Sequence, residues 1–376
     1  MPKIKIVHII ADSKIGGGPN HVLGLLANLD KAKFDCYLIC PSGYLSKEAK
    51  KIVGLTILNI SMSSKFDFLS ILALKRIISK IKIEGNPFGP LVIHSHGPRA
   101  GLFASMIASK NNIHKIYTEH RYGEGFRLTN FLNDFVQRQM IRKICRKQDL
   151  VIAVSTDVRN FIIKNKWAST AKISVISNAI AASCQKKKIN TSTRAPIIGN
   201  IGSLNKQKGQ IHLIRAFAGV NTKYPLATLE IIGDGPELEV LKEEVRRLSL
   251  KKHVTFLGEK KDITRYMRHW SVFALPSIAE TFGIVLLEAM NAGVPIVASK
   301  IGGVVDIIED GKEGLLAEPA SEKDLALKLL EILDHPALAA KLKRNAYERV
   351  KEFDWTKVIK KIEAAYLGVA RENEED

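Results

Sequence analysis

Two carboxylates, Glu280 and Glu288, stand eight positions apart, with Gly283 and an apolar stretch between them, in a run from Ile284 to Met290. The run reads as a helix, and the free N–H groups of its first turn attract a phosphate. At 3.6 residues per turn the acids fall near one face, with Glu288 about two turns, roughly 12 Å, below Glu280. That span is close to the reach from a transferring sugar, across a diphosphate, to a ribose. Two acids and a phosphate-seeking helix end fit a nucleotide-sugar site. The plainer alternative is a pair of solvated glutamates flanking a core helix, since glutamate is common on helix surfaces.

Other residues with chemical potential sit in loops after strand-like runs. Gly16-Gly17-Gly18-Pro19 follows the first such run. Glycines let a backbone approach a ligand, and Pro19 suits the first turn of a helix. The spacing is not G-x-G-x-x-G, which disfavours a dinucleotide site. A turn that needs glycine only for packing is the other reading. His94-Ser95-His96-Gly97 and Thr118-Glu119-His120 each end a strand pattern. Imidazoles at strand C-terminal ends point towards the ligand side of an α/β domain and can bond a sugar hydroxyl or move a proton. Each is also readable as a structural histidine; their places on neighbouring segments favour His96 and His120. In Gly202-Ser203-Leu204-Asn205-Lys206-Gln207-Lys208-Gly209, Lys208 stands just before a helix. An ammonium there can neutralise a departing diphosphate, or be a solvated loop lysine. Gly233-Asp234-Gly235-Pro236 ends a further strand and fits either a low wall beside a ligand or a plain turn.

The elements that must carry these loops alternate along the chain. Strands are expected at residues 4–10, 34–40, 55–60, 91–94, 115–119, 150–154 and 173–176, with helices between most of them. The runs are β-branched and apolar on both faces, the mark of a buried parallel sheet. Residues 181–195 are small and polar and read as a linker. The pattern then restarts with strands at 197–201, 228–232, 254–257, 272–275 and 296–298 and helices at 210–220, 237–248, 284–292, 322–335 and 336–351. The expected fold is α/β: two Rossmann-like doubly wound domains facing across a cleft. Their boundaries are 1–180 for an acceptor-binding domain, 181–195 for the linker and 196–354 for a nucleotide-sugar-binding domain. A C-terminal helix in 355–376 should pack back towards the first domain.

The 376 residues, 46% of them apolar, allow two cores. No apolar run of membrane-spanning length occurs, and no signal-peptide layout opens the chain. Cys36, Cys40, Cys145 and Cys184 form no Cys-x-x-Cys pair, and reduced thiols in a cytoplasmic protein are expected. Cys36 and Cys40 should share one face of a buried strand. The net charge of +19 is uneven: residues 1–185 carry 27 Lys+Arg against 11 Asp+Glu, and the remainder 30 against 27. The first half thus seeks an anionic partner. Few aromatics interleave with the basic residues and no nucleic-acid motif appears, which disfavours an oligonucleotide partner.

In order and spacing, these features resemble glycosyltransferase family 4, the retaining group of the GT-B enzymes. The resemblance covers nearly the whole chain. It rests on the early glycine loop, the two histidine strand ends, Val154-Ser155, Val175-Ile176-Ser177-Asn178, the Gly202–Gly209 loop, Gly233-Asp234-Gly235, the E-x₇-E segment and Gly302-Gly303. It implies transfer of a sugar from a UDP- or GDP-sugar with retention, needing no metal and no cofactor. The absence of a D-x-D motif agrees. His120, Glu280 and Lys208 would be catalytic, His120 near the reacting sugar. Donor contacts would come from Ser203, Asn205, Lys208, Gly233, Glu280, Thr281, Phe282, Gly283, Ile284 and Glu288, with Glu288 on the ribose. Gly16, Gly17, Gly18 and His96 would form the acceptor or phosphate loop. The sequence departs from the family at Ser203, where an arginine is usual, and Lys206 is the nearest substitute cation. It departs also at Ala179, where glycine is usual, and at Asp306, where glutamate is usual.

On the acceptor side, Leu128, Phe131, Leu132, Phe135 and Ile144 suggest the apolar face of a helix, and Arg138, Arg142 and Arg146 recur every four positions beside Lys143 and Lys147. A basic amphipathic helix suits anionic headgroups, while a core helix with a solvated basic face is the other reading. Lys75, Arg76, Lys80 and Lys82 form a second basic stretch. The expected acceptor is a lipid-linked or phosphorylated glycan in cell-surface polysaccharide or glycolipid assembly, handled by a peripheral protein on the inner membrane face. The competing functions are a nucleotide-sugar 2-epimerase of the same architecture and a nucleic-acid-binding protein.

Overall fold

The protein is described by a computed structural model, covering residues 3–64, 67–109, 112–126, 131–182 and 195–371. The chain divides into two compact units. The first runs from the N-terminus to Gly123, resumes at residue 127, continues to Ala179 and returns with the segment from Trp355; the second holds Glu124–Phe126 and Ile180–Asp354.

The first unit comprises β1 (Ile4–Ile10), α1 (Gly17–Asn28), β2 (Phe34–Cys40), α2 (Tyr44–Ala49), β3 (Leu55–Asn59), α3 (Phe68–Ile83) and β4 (Leu91–His96). It continues with α4 (Pro98–Ala104), β5 (Ile113–Glu119), α5 (Phe131–Arg146), β6 (Leu150–Ala153), α6 (Thr156–Lys164) and β7 (Ile173–Val175). Its seven strands are all parallel in the order β3-β2-β1-β4-β5-β6-β7. Chain order therefore reverses between β1 and β4, and the loops following those strands flank the switch point where α/β sheets bind ligands.

The second unit repeats the plan. It holds β8 (Ile197–Ile201), α7 (Gln210–Lys223), β9 (Thr228–Ile232), α8 (Leu238–Arg247), β10 (Val254–Gly258), α9 (Ile263–Met267) and β11 (Val272–Leu275). Then follow α10 (Ile284–Ala292), β12 (Ile296–Ser299), α11 (Val304–Ile307), β13 (Leu315–Ala317), α12 (Glu322–Asp334) and α13 (Pro336–Val350). Its six parallel strands run β10-β9-β8-β11-β12-β13, so the switch lies between β8 and β11.

The strands sit where β-branched runs fall, because a sheet covered on both faces favours apolar residues on both sides of each strand. β4 and β11 are buried along their whole lengths. The last helix, α14 (Trp355–Arg371), belongs to the first unit. Its Trp355, Val358, Ile359, Ile362, Tyr366 and Val369 share one core with Ile6, Val22, Leu25 and Leu26. Each such large apolar side chain contributes about 1.5–3 kcal/mol by leaving water. Gly24 makes room for this helix: a Cβ there would lie 2.4 Å from the Trp355 ring. Cys36 and Cys40 lie in that same core and Cys145 is also buried and free, while Cys184 lies outside the described residues.

Buried lysines lock the outer helices. Lys5 on β1 sets its three-proton ammonium among the carbonyls of Ile81 at 2.9 Å, Lys82 at 3.1 Å, Asn86 at 3.2 Å and Glu84, closing the C-terminal end of α3. Lys82, expected in a surface basic stretch, is instead buried and donates to the Gly89 carbonyl at 2.5 Å. Lys75, Arg76 and Lys80 remain exposed. Among the described residues no helix is long and apolar enough to cross a membrane.

Candidate active site

In the second unit the loops after β8 and β11 are joined by backbone bonds. The N–H groups of Ile278 and Ala279 donate to the Gln207 carbonyl at 2.8 and 3.3 Å. Gly209 takes a left-handed φ of 65°, and a Cβ there would stand 2.1 Å from the Pro276 carbonyl oxygen. Glycine alone permits both. Asn205 accepts from the Lys208 N–H at 3.2 Å and so caps the short 3₁₀ turn Lys206–Lys208. This tight joint brings Lys208 Nζ to 2.6 Å from Glu280 Oε2, where the carboxylate is only 10% exposed. The Ser277 hydroxyl lies 3.5 Å from the same oxygen.

α10 begins beyond this pair, at Ile284, with Gly283 as N-cap at φ 87°. Glu280 therefore precedes the helix, and the regular rise used to place it two turns above Glu288 applies only from Ile284 onward. The left-handed glycine breaks the helix that the E-x₇-E spacing implied. Glu280 is fixed instead by its own carbonyl, which accepts from the Gly303 N–H at 3.1 Å. The N-cap Gly283 offers α10 no side-chain cap, so first-turn N–H groups keep capacity for an anion. Glu288 lies in the second turn, partly buried, and desolvation raises its carboxyl to about 7. Phe282 turns its ring into the core at 5.9 Å from Phe353, which leaves it only backbone groups for a donor. Ser203 is exposed, and its carbonyl accepts from Gln210. Gly233 backs onto the Gly202 carbonyl and holds the floor of this loop cluster.

In the first unit the loop after β1 carries Gly16, the N-cap of α1, then Gly17 and Gly18. A Cβ on Gly16 or Gly18 would meet nothing within 4 Å. Neither glycine is needed for internal packing, and open space remains for something to approach the backbone. Five imidazoles gather nearby. His8 on β1 and His94 on β4 are register partners. His21 comes from α1, His96 ends β4, and His120 follows β5. Ring centroids lie 4.2 Å apart for His94–His96, 5.2 Å for His21–His120 and 5.9 Å for His96–His120. His94 and His96 were expected at a strand end facing ligand; both are buried, at 1% and 3% exposure. Burial is the main cause holding all five below the ordinary imidazole range, His8 at about 3 and His120 at about 4. The cluster is neutral at physiological pH.

Two family models divide the sequence. Residues 15–183 match Glycosyltransferase Family 4, and residues 183–349 match Glycosyl transferases group 1. The chain belongs to the group 1/family 4 glycosyltransferases. An uncharacterised glycosyltransferase of Methanocaldococcus jannaschii is 29% identical over 94% of each chain. The UDP-Gal:alpha-D-GlcNAc-diphosphoundecaprenol alpha-1,3-galactosyltransferase of Escherichia coli is 24% identical over 97% of each. Among solved structures, Anabaena HepE in complex with UDP and glucose superposes with a TM-score of 0.81 at 21% identity, over 97% of this chain and 99% of that one. Together with the two parallel sheets, that likeness gives this glycosyltransferase the GT-B fold.

Within the glycosyltransferase, the structure brings Lys208, Glu280, Gly283 and Ile284 together, with Glu288 further down the same helix. It keeps Asn205 as a cap. The basic helix α5 differs from the sequence pattern. Phe131, Leu132, Phe135 and Val136 are exposed, whereas Ile144 is buried, so the expected apolar face splits in two. Arg138 leaves the basic face: its Nε donates to buried Asp134 at 2.6 Å, and its guanidinium stacks 5.3 Å over Tyr122 and 5.1 Å over Phe161. Lys143, Arg146 and Lys147 stay exposed. Leu128 lies outside the described residues. Sequence reasoning missed His8, His21 and Tyr366. The signal for His8 was its place on a strand two residues before the glycine-loop side of a sheet; His21 had only its position one turn into α1.

Proposed function

We propose that the protein is a retaining, metal-independent hexosyltransferase that moves a sugar from a UDP- or GDP-linked donor to a lipid-linked or phosphorylated glycan. The observation that carries this reading is the Lys208–Glu280 pair at 2.6 Å beside the uncapped start of α10. A diphosphate at that helix end would compete with Glu280 for the ammonium, freeing the carboxylate for a hydroxyl of the donor sugar. In the step itself, the bond from the sugar's anomeric carbon to the β-phosphate oxygen breaks and a bond to the acceptor oxygen forms on the same face. The acceptor's proton passes to the departing diphosphate. Lys208 and the helix N–H groups stabilise the charge that builds there. His120, kept neutral by burial, would bond a hydroxyl near the reacting carbon.

The lipid-linked acceptor rests on two supports. The E. coli relative is named for a diphosphoundecaprenol acceptor. α5 offers exposed Phe131, Leu132, Phe135 and Val136 with Lys143 and Arg146 on the same element and Lys147 just after it, the composition that anionic headgroups attract. Incubation with candidate UDP- and GDP-sugars, chosen by the rise in melting temperature that ligand binding produces, tests the reading. The expected product carries the donor's anomeric configuration on a lipid-linked acceptor, and the protein floats with anionic but not neutral vesicles. An inverted anomer, or an epimerised nucleotide sugar with no acceptor present, rejects it. Equal flotation with both vesicles, or with neither, removes the membrane surface.

Glu288 gives a pH signature. A ribose hydroxyl bonds best to the ionised carboxylate, which the free protein holds only above about 7. From pH 8 to pH 6 the ionised fraction falls about tenfold, so nucleotide-sugar affinity should weaken by about tenfold. A nucleotide sugar is the right probe, since its diphosphate is a diester that does not titrate in this range. Glu288→Gln should flatten the profile in isothermal titration; an unchanged pH dependence in that variant takes Glu288 off the ribose.

A further inference from the structure

We propose that His21, His96 and His120 form a binding site for one transition-metal dication of the zinc class, and that occupation of the site blocks sugar transfer.

The ligand nitrogens of these three residues lie within 4.8 Å of one another. Zinc–imidazole bonds of about 2.0–2.1 Å in a tetrahedron bring ring centres to roughly 5 Å apart. The observed centroids are 5.2 Å for His21–His120, 5.9 Å for His96–His120 and 6.0 Å for His21–His96. The rings thus already stand at near-coordinating spacing, and small rotations close the triangle. They are carried by the end of β4, the residue after the adjacent strand β5, and the body of α1. These are rigid supports on one side of one unit.

The bonding pattern supplies the second argument. Nδ1 of His21 and Nδ1 of His96 are both buried without a hydrogen-bond partner, in residues only 6% and 3% exposed. Buried polar atoms are almost always satisfied, so two orphans on members of one three-histidine group call for a ligand. The other nitrogen of His96, Nε2, lies 3.1 Å from His8 Nδ1. His8 Nε2 lies 3.5 Å from the Tyr366 hydroxyl, which lies 2.7 Å from His94 Nδ1. His94 Nε2 ends the chain 2.7 Å from Thr118 Oγ1. This relay runs consistently in two directions. In one, every imidazole donates through Nε2, and His96 Nδ1 keeps its lone pair. In the other, His96 Nδ1 carries a proton into a place with no acceptor. A bound cation selects the first direction and uses the lone pair. A metal-bound histidine that donates its second nitrogen into such a network is the usual outer arrangement of a metal site. His120 is less buried than the other two and leaves one side for entry and for a water ligand. Three neutral imidazoles and no carboxylate suit Zn²⁺, Co²⁺, Ni²⁺ or Cu²⁺ and reject Mg²⁺ and Ca²⁺.

The inhibitory consequence rests on the proposed role of His120 near the reacting sugar, because a metal-bound His120 gives up its coordinating nitrogen and the freedom of its ring to turn towards a hydroxyl. The ion is therefore no cofactor of the reaction.

The test uses the full chain stripped with EDTA and reloaded with Co²⁺ or Zn²⁺. One ion per chain should survive gel filtration, and Co²⁺ should show the intense visible bands of tetrahedral coordination. His21→Gln should weaken uptake by at least about a hundredfold, while exposed His335→Gln leaves it unchanged. Circular dichroism checks that each variant folds, and zinc X-ray absorption on the wild type counts its imidazole ligands without any variant. Failure to retain an ion, Mg²⁺ retained as well as Zn²⁺, or uptake equal in His21→Gln overturns the site. Uptake is read without catalysis, so failure of the transferase reading leaves it standing. Where transfer is found, Zn²⁺ should inhibit the wild type and EDTA restore it; full activity with the ion bound overturns the inhibitory part alone.

Discussion

Lys208→Ala lowers kcat by about 10²–10³-fold, the cost of removing one preorganised donor from a charge-developing site. The argument runs through Glu280. In the free protein the ammonium and carboxylate hold each other at 2.6 Å, with 28% and 10% of their side chains exposed. Loss of the lysine does two things at once. It removes the cation on which the leaving diphosphate depends, and it strands a carboxylate in a poorly solvated place where a phosphate must come. Repulsion between the two anions should then weaken nucleotide-sugar binding along with turnover. Lys208→Arg keeps the charge but not the point geometry and should recover only part of the rate. Glu280→Gln removes the carboxylate and leaves the ammonium free, so nucleotide affinity should hold or rise while kcat falls. Double substitution should cost less than the product of the single effects, since the residues act as a unit. Steady-state kinetics with the selected donor decides the matter: wild-type turnover in Lys208→Ala takes the chemistry away from this pair.

Acid should unfold the first unit well before the second. His8, His21, His94, His96 and His120 all lie in the first unit and are held neutral by burial. For His8 desolvation is the larger cause and the positive charge of Lys31 the smaller. In the unfolded chain each titrates near 6.5. The folded state binds fewer protons, so the stability these groups allow is present above 6.5 and is lost as pH falls towards the folded values. At pH 5, His8 and His120 alone withdraw about 2 kcal/mol each, and the other three act in the same direction. Against the 5–15 kcal/mol of an ordinary domain, that is a large share. Thermal melts in EDTA from pH 7.5 to 4.5, followed by tryptophan emission, report it. Trp167 and Trp355 belong to the first unit and Trp270 to the second. His8→Gln should flatten the slope of stability against pH by about 1.4 kcal/mol per unit. A melting temperature constant between pH 7 and pH 5 contradicts the account.

Much of the architecture could be read from residue order. Ile4–Ile10, Phe34–Cys40, Ile197–Ile201, Thr228–Ile232 and Val272–Leu275 begin and end where the β-branched runs do, because a strand covered on both faces is predominantly apolar. β13 went unseen: three residues, Leu315–Ala317, carry too little pattern to separate from a loop. The short helices α9 and α11 were hidden for the same reason. The donor loops were legible through their glycines and Lys208, but the salt bridge was not, since it depends on Gln207 and Ile278 meeting across the sheet. The surface charges were the least readable. Lys82 and Arg138 look solvated in sequence, yet one reaches the Gly89 carbonyl and the other a buried aspartate and two rings. The histidine cluster was out of reach for a different reason. Its members are spread from position 8 to position 120, and the pairing of β1 with β4 is what gathers them.

The placement of α14 has a consequence for synthesis. Trp355 fills the space above Gly24, and the Tyr366 hydroxyl meets His94, so the first unit lacks a wall until the last residues of that helix exist. Residues 180–354 form a continuous stretch and can close their own core while the polypeptide is still leaving the ribosome. The order of completion is thereby inverted: the half that emerges later can finish earlier, and the half made first waits for the segment from Trp355.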